Sequence, residues 1–422
     1  MTLNMNTIPK LKIKVIELKN EVDIKHYFFD KEYSKRRNIY WSNKNIELIG
    51  IDLLVSSDFS CKQEYEDLSL YYNSIINNNK SNFDNLDIPT IFVGACFNFN
   101  ENTQDNLWTD IPKGRIFIPK ILIIDNKTIK RIVTFESEGT INDANILNTF
   151  NYKQKSLNIK FVDETDANHY ISSITKSIKL IKDKKLSKIV LSRKKSYSIN
   201  SKDDALSNFI FNTGEDNTTK FVFDFQESGT IFGSSPEKLF SISNNHFKTE
   251  AIAGSFKSTS NLNLIDKNKE IDEHNFVIDY LKSKLSNFSK KIKIYDNEIL
   301  ALRNISHIKT KIESTLEQEH NVFDILFQLH PTPAVAGTPK DVSIDKISNL
   351  ENHDRGWYSG TIGWISNELN THFIVNIRSG IIKKNQLNIY AGCGITKGSD
   401  PNQEYDESEM KFDYILSNLN HE

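Results

Sequence analysis

The spacing of apolar side chains divides the chain into many short strands and a few helices. Between residues 165 and 183, Ile171, Ile174, Ile178 and Ile181 recur close to the 3.6-residue period of an amphipathic helix. Residues 270–287 carry Phe276, Ile278, Tyr280 and Leu281 and predict a second helix. Residues 322–329 predict a third, halted by His330-Pro331-Thr332-Pro333, because proline lacks an N–H and restrains its predecessor. Strands are predicted at 48–55, 90–97, 114–124, 131–135, 188–193, 220–224, 230–233, 239–243, 247–253, 358–365, 371–377 and 388–393. Asn-rich residues 77–85 predict a surface loop. Strands and helices come in runs without a regular βαβ alternation, so a largely antiparallel α+β domain is expected.

The last of these strands is expected to enter a turn at Gly392 and Gly394, where bare backbone can approach an anion. A final helix is predicted beyond Gly398–Pro401. On it Glu404, Glu407 and Lys411, spaced three, four and seven apart, share one face.

A chain of 422 residues with 38% hydrophobic content can bury a large core in one large domain or in two or three. There is no G-x-G-x-x-G after a first strand and no Walker loop, so neither common nucleotide fold is supported. A net charge of −2 gives no chain-wide attraction to nucleic acid or an anionic membrane. Cys61, Cys96 and Cys393 lack paired spacing, which argues for a reducing compartment without a disulfide framework or zinc site. The N-terminus has no signal-like apolar run, and no stretch of about 18 apolar residues could span a bilayer. A cytoplasmic protein is expected, with no membrane or nucleic-acid partner.

Several polar residues stand where chemistry could use them. Lys188 opens an apolar strand; facing inward it would be desolvated toward a neutral amine, facing outward it would guard an edge. Glu237 follows Pro236 in a turn between strands. It is either a carboxyl kept protonated by Phe232 and Leu239 or a solvated turn residue. Glu273 and His274 lie early on a helix, where the dipole alone favours an acid. With Glu404 and Glu407, Glu273 would make an all-oxygen set suited to Mg²⁺. Arg378, expected inside an apolar strand, is half of an ion pair or a fork for a carboxylate. His307 is a core histidine on backbone or a polar contact in a pocket.

Together these stretches resemble the chorismate-utilising enzymes, a family that includes isochorismate synthase, salicylate synthase and the large chains of anthranilate and aminodeoxychorismate synthase. The resemblance rests on Lys188–Arg193, Phe232–Glu237, Thr249–Ser255, Asp272–His274, His330–Lys340, Asp354–Trp364, the Arg378 strand and residues 388–411. They follow the family's order from about residue 165 to the end, while residues 1–155 match only in general character. The resemblance implies one large α+β domain, a β-sandwich core flanked by helices, with residues 1–155 as its N-terminal part and 156–422 as the chorismate-binding region. It also implies Mg²⁺ held by Glu273 and Glu407 with Glu404 close by. Gly254, Ser255, Gly392, Gly394 and Lys411 match positions binding the ring carboxylate, and Tyr358 and Arg378 those holding the enolpyruvyl carboxylate. His307 is expected as a further substrate contact. Lys188 matches the base that activates water for ring C2, and Glu237 the acid that protonates the departing C4 hydroxyl.

Lysine at 188, and Thr249-Glu250 where amine-using chains carry an Arg-Pro type pair, favour the water-using members. The expectation is an isochorismate synthase serving menaquinone or siderophore synthesis, acting as a monomer or weak dimer. Salicylate synthase is the alternative, ahead of an anthranilate-type large chain or a non-catalytic chorismate-binding subunit.

Overall fold

Alternation of side chains along the strands builds this molecule in layers. The computed structural model describes residues 8–19, 21–30, 35–100, 105–137, 152–212, 217–257, 267–301, 305–317 and 321–419. Among them, strands of one 20-stranded hydrogen-bonded sheet pair antiparallel throughout. This is the α+β architecture expected.

In the strand Arg37–Ser42, Ile39 and Trp41 enter the main core while Tyr40 enters a second one. Phe221 and Phe223 likewise part from Val222 in Thr219–Asp224, and Leu122 and Ile124 from Ile121 and Ile123 in Gly114–Asp125. Successive strand residues point to opposite faces, so both faces of this layer are apolar and both need cover. One face meets the core shared with strands Pro89–Ala95, Thr361–Ser366 and Thr371–Val375. Helices Lys202–Phe211 and Pro401–Ser417 cover the other through Leu206, Phe209, Phe412 and Ile415. Each such side chain, fully buried, contributes about 1.5–3 kcal/mol.

The N-terminal strands are woven into the rest. Arg37–Ser42 pairs with Thr219–Asp224, and Pro89–Ala95 pairs with Thr361–Ser366.

Several expected elements are revised. Residues 77–85 are no loop: helix Lys62–Asn79 runs into a single 3₁₀ turn, Lys80–Phe83. Asn79 is buried because its amide meets backbone on every side. It accepts from Leu11 N at 2.7 Å and donates to Ile75 O at 2.8 Å and Pro9 O at 3.0 Å.

The strand expected to end at Gly254 continues as His246–Lys257. Gly254 sits in a bulge, where the register against Ile305–Leu316 shifts between Ala253 and Ser255. Its φ of +77° and the Glu270 carbonyl 2.8 Å from where a Cβ would stand make glycine the fitting residue.

Arg378 is not inside a strand. Thr371–Val375 stops short of it, and Arg378 at φ +53° leads into Ser379–Lys383, a strand absent from the pattern reading. Gly392 and Gly394 lie in the strand Gln386–Ile395 instead of a turn, and Tyr358 precedes the strand Thr361–Ser366. In helix Lys267–Leu285, Val277, Leu281 and Leu285 are fully buried, whereas Phe276, Ile278 and Tyr280 are half-buried. Among the described residues, no helix is long and apolar enough to cross a membrane.

Candidate active site

The strand Lys188–Ile199 lies between Gln386–Ile395 and the short strand Gly337–Thr338, so Lys188 guards no edge. Its Ile189 and Leu191 pack under helix Ala167–Lys182 against Tyr170 and Ile174. That helix is held at its start by Asp166, whose side chain accepts from His169 N. Alternation turns Lys188 and Val190 to the opposite face. In register with them, Gly392 and Gly394 face the same side, because Gly392 pairs with Ser192 and Gly394 with Val190.

A cavity opens on that face. Among its lining residues are Glu237, Ser255, Glu273, His307, Tyr358, Arg378, Gly392, Gly394 and Lys411, nine of the thirteen residues named as site candidates from sequence. Of the other four, Lys188 lies wholly buried at the cavity wall, Gly254 forms the bulge beside Ser255, and Glu404 and Glu407 stand on the last helix.

Lys188 Nζ is 3.1 Å from Glu273 Oε1. Gly394 makes room for this pair: a Cβ there would stand 2.0 Å from Glu273 Oε1 and 3.0 Å from Lys188 Cε. The bareness of this backbone therefore serves a side-chain pair.

Glu237 is buried, its carboxyl without a hydrogen-bond partner among the described residues. Its backbone is fixed by Ser235 Oγ, which accepts from Glu237 N, and by Val375 N, which donates to Glu237 O. Burial pushes the carboxyl up to about 8; Lys188 pulls against this and Glu250 adds to it. The group is therefore a carboxylic acid at neutral pH, able to donate a proton.

On the facing wall, Ser255 opposes His307 across two strands. Ser255 Oγ is 3.0 Å from His307 Nδ1, and Arg378 Nη2 donates to His307 Nε2 at 3.0 Å. Among the described residues, His307 is thus bonded to two side chains and not to backbone. Burial, reinforced by Arg378 and Lys411, pushes it well below the usual imidazole range, so the ring is neutral. Arg378 Nη1 has no partner among the described residues. Ser359 at φ +60° and Arg378 at φ +53° both line the cavity, backbone strain of the kind that gathers at functional sites. Tyr358 stacks on Tyr390 at 5.1 Å between ring centres, and burial keeps its phenol protonated.

Asp400 starts the last helix by accepting from Asn402 N and Gln403 N, with Pro401 in its first turn. Along it, Glu407 Oε1 meets Lys411 Nζ at 2.6 Å, and Lys411 also donates to Gly392 O at 2.7 Å. Glu404, Glu407 and Cys393 bring ligand atoms within 4.8 Å of one another. Burial, with Glu407 next, pushes the Cys393 thiol well above its usual range, and the thiol donates to Glu404 O at 3.2 Å. Glu273, paired with Lys188, stands outside this group, so two of the three expected carboxylate ligands come together here, and their oxygens suit a hard cation such as Mg²⁺.

Tyr390, Val190, Val335 and Cys393 were missed from sequence. Tyr390 shares its strand face with Gly392 and Gly394, and the two-residue alternation could have found it.

Residues 4–420 match the family described as chorismate binding enzyme. The chain belongs to this family. It is 28% identical over 357 residues to the isochorismate synthase MenF of Bacillus subtilis, an alignment covering 78% of this chain and 74% of that protein. The menaquinone-specific isochorismate synthase MenF of Escherichia coli superposes with a TM-score of 0.79 at 21% identity, over 98% of this chain and 95% of that one. Anthranilate synthase component I of Streptococcus pneumoniae gives 0.71 at 20% identity, over 89% and 92%. These two structures share the fold of this chorismate-binding enzyme, and the expected architecture holds.

Proposed function

We propose that this chain is an isochorismate synthase, isomerising chorismate by adding water at ring C2 with loss of the C4 hydroxyl. The observation that carries the reading is Glu237, a buried carboxyl protonated at neutral pH that faces the same cavity as the Lys188–Glu273 pair. Hydroxide is a poor leaving group, so an acid is needed where it departs; water is a weak nucleophile, so a base is needed where it attacks. In this reading Lys188 acts as the neutral amine and takes the proton of the attacking water as the new C2–O bond forms. Glu237 gives its proton to the C4 oxygen as the C4–O bond breaks and both double bonds of the ring diene shift.

Ser255, Gly392 and Lys411 would bind the ring carboxylate, and Tyr358 and Arg378 the enolpyruvyl carboxylate, whose charge suits the open Nη1 of Arg378. Glu404 and Glu407, joined by Glu273 once it releases Lys188, would hold Mg²⁺, which when bound supplies Lewis-acid neutralisation of the ring carboxylate. Similarity to named isochorismate synthases supports this choice within the family.

Purified protein given chorismate and Mg²⁺ should form isochorismate reversibly, without glutamine or a partner chain. Release of salicylate and pyruvate would transfer the assignment to salicylate synthase. Dependence on an amidotransferase would transfer it to the anthranilate type.

A further inference from the structure

The chain of contacts from Arg378 through His307 to Ser255 has one consistent arrangement of protons. Every guanidinium nitrogen of arginine donates and none accepts. Arg378 Nη2 lies 3.0 Å from His307 Nε2, so that nitrogen presents its lone pair. A neutral imidazole then carries its proton on Nδ1, where Ser255 Oγ waits 3.0 Å away as acceptor. The groups acting on the ring are Arg378, Lys411 and Glu407, two cations against one anion, a balance that opposes an imidazolium. With one lone pair of Ser255 Oγ so engaged, its own proton is left to point elsewhere, and Ser255 lines the cavity. The other open donor nearby is Arg378 Nη1.

We propose that His307 is a positioning residue: its neutral Nδ1–H tautomer, fixed by Arg378, turns the Ser255 hydroxyl into the cavity as a donor to a bound carboxylate. The imidazole moves no proton in turnover. It transmits the donor-only character of Arg378 across two hydrogen bonds, so that the hydroxyl and the guanidinium present donors to an anionic ligand and no acceptor that would repel it. Which carboxylate is bound rests on the function proposed above; the proton arrangement does not.

The test is nitrogen NMR of the full chain labelled with ¹⁵N-histidine, the His307 signals being assigned by their loss in His307→Gln. A protonated Nδ1 and a lone-pair Nε2, unchanged from about pH 5.5 to about pH 8.5, are expected. A titrating ring, or a proton on Nε2, overturns the proposal. Kinetics with chorismate supply the second arm. His307→Gln offers an oxygen to Arg378 and an N–H to Ser255, and should hold kcat/KM within about tenfold of the parent. His307→Leu leaves both partners unmet and should lose roughly 10²-fold, mainly through KM. Equal losses in the two variants, or a loss confined to kcat, refute a positioning role. A parent protein inactive on chorismate would sink the proposed function while leaving the spectroscopic result intact.

Discussion

Lys188 Nζ and Glu273 Oε1 lie 3.1 Å apart, the lysine sealed from solvent and the acid facing the cavity. Removing the lysine leaves the largely buried Glu273 carboxyl without its partner, a loss of about 1–3 kcal/mol for a buried polar group left unmet. Lys188→Ala should therefore lower both the midpoint of chemical unfolding and turnover, the latter by roughly 10²–10⁴-fold if Lys188 is the base. Turnover near the parent value would refute that role.

Glu237→Gln keeps the shape and removes the acidic proton. A fall in kcat of roughly 10²–10⁴-fold with little change in KM is expected. In the parent, activity should decline as pH rises through about 8, where the acid ionises. That limb should be missing from the residual activity of the variant. A limb unchanged by the substitution assigns it to another group.

The same residue makes a stability prediction of definite sign. The folded state raises the Glu237 carboxyl from 4.5 to about 8, so it binds this proton more tightly than the unfolded chain does. The contribution is fully present below about pH 4.5 and fades as pH climbs to 8 and beyond, a change on the order of a few kcal/mol. Denaturant midpoints of the parent relative to Glu237→Gln should fall across that window. A gap that is constant with pH would show that the carboxyl is not perturbed.

Chelation with EDTA should abolish turnover and added Mg²⁺ should restore it. Glu407→Gln should raise the Mg²⁺ concentration needed by at least roughly tenfold, since one charged ligand is lost. Full activity in EDTA would dismiss the metal.

Gly394→Ala places a methyl group where Glu273 Oε1 would be 2.0 Å away. Either the acid or the strand must shift. A loss of more than about tenfold in kcat/KM is expected with the fold intact by circular dichroism, because a small displacement at reacting groups costs disproportionately. Unchanged kinetics would mean that the placement of Glu273 is immaterial.

Much of this site was legible because its residues sit where local pattern constrains them. Lys188 begins an unmistakable strand, and Glu404, Glu407 and Lys411 obey helical spacing on a helix with a clear start. Glycine and arginine misled: Gly392 and Gly394 read as a turn, yet a strand accepts glycine where another element presses close. Arg378 read as a strand residue because its neighbours are apolar, while the break comes from a left-handed backbone that no apolar pattern announces. Asn79 read as surface, since burial of an asparagine depends on backbone partners brought from a distant segment. Cys393 was invisible as a neighbour of Glu404 and Glu407, because strand and helix meet only in three dimensions.

The interleaving of early and late strands bears on how the protein is made. Ile88 N bonds to Asn367 Oδ1, 279 positions later, and the adjoining strand finds its mate in the same distant segment. During synthesis the N-terminal strands can pair with one another, but Arg37–Ser42 and Pro89–Ala95 each keep one edge open until residues 219–224 and 361–366 have left the ribosome. Such long-range closure is slow and exposes sticky edges meanwhile, so yield in a cell should respond to chaperone supply and growth temperature more than to the strength of any one contact.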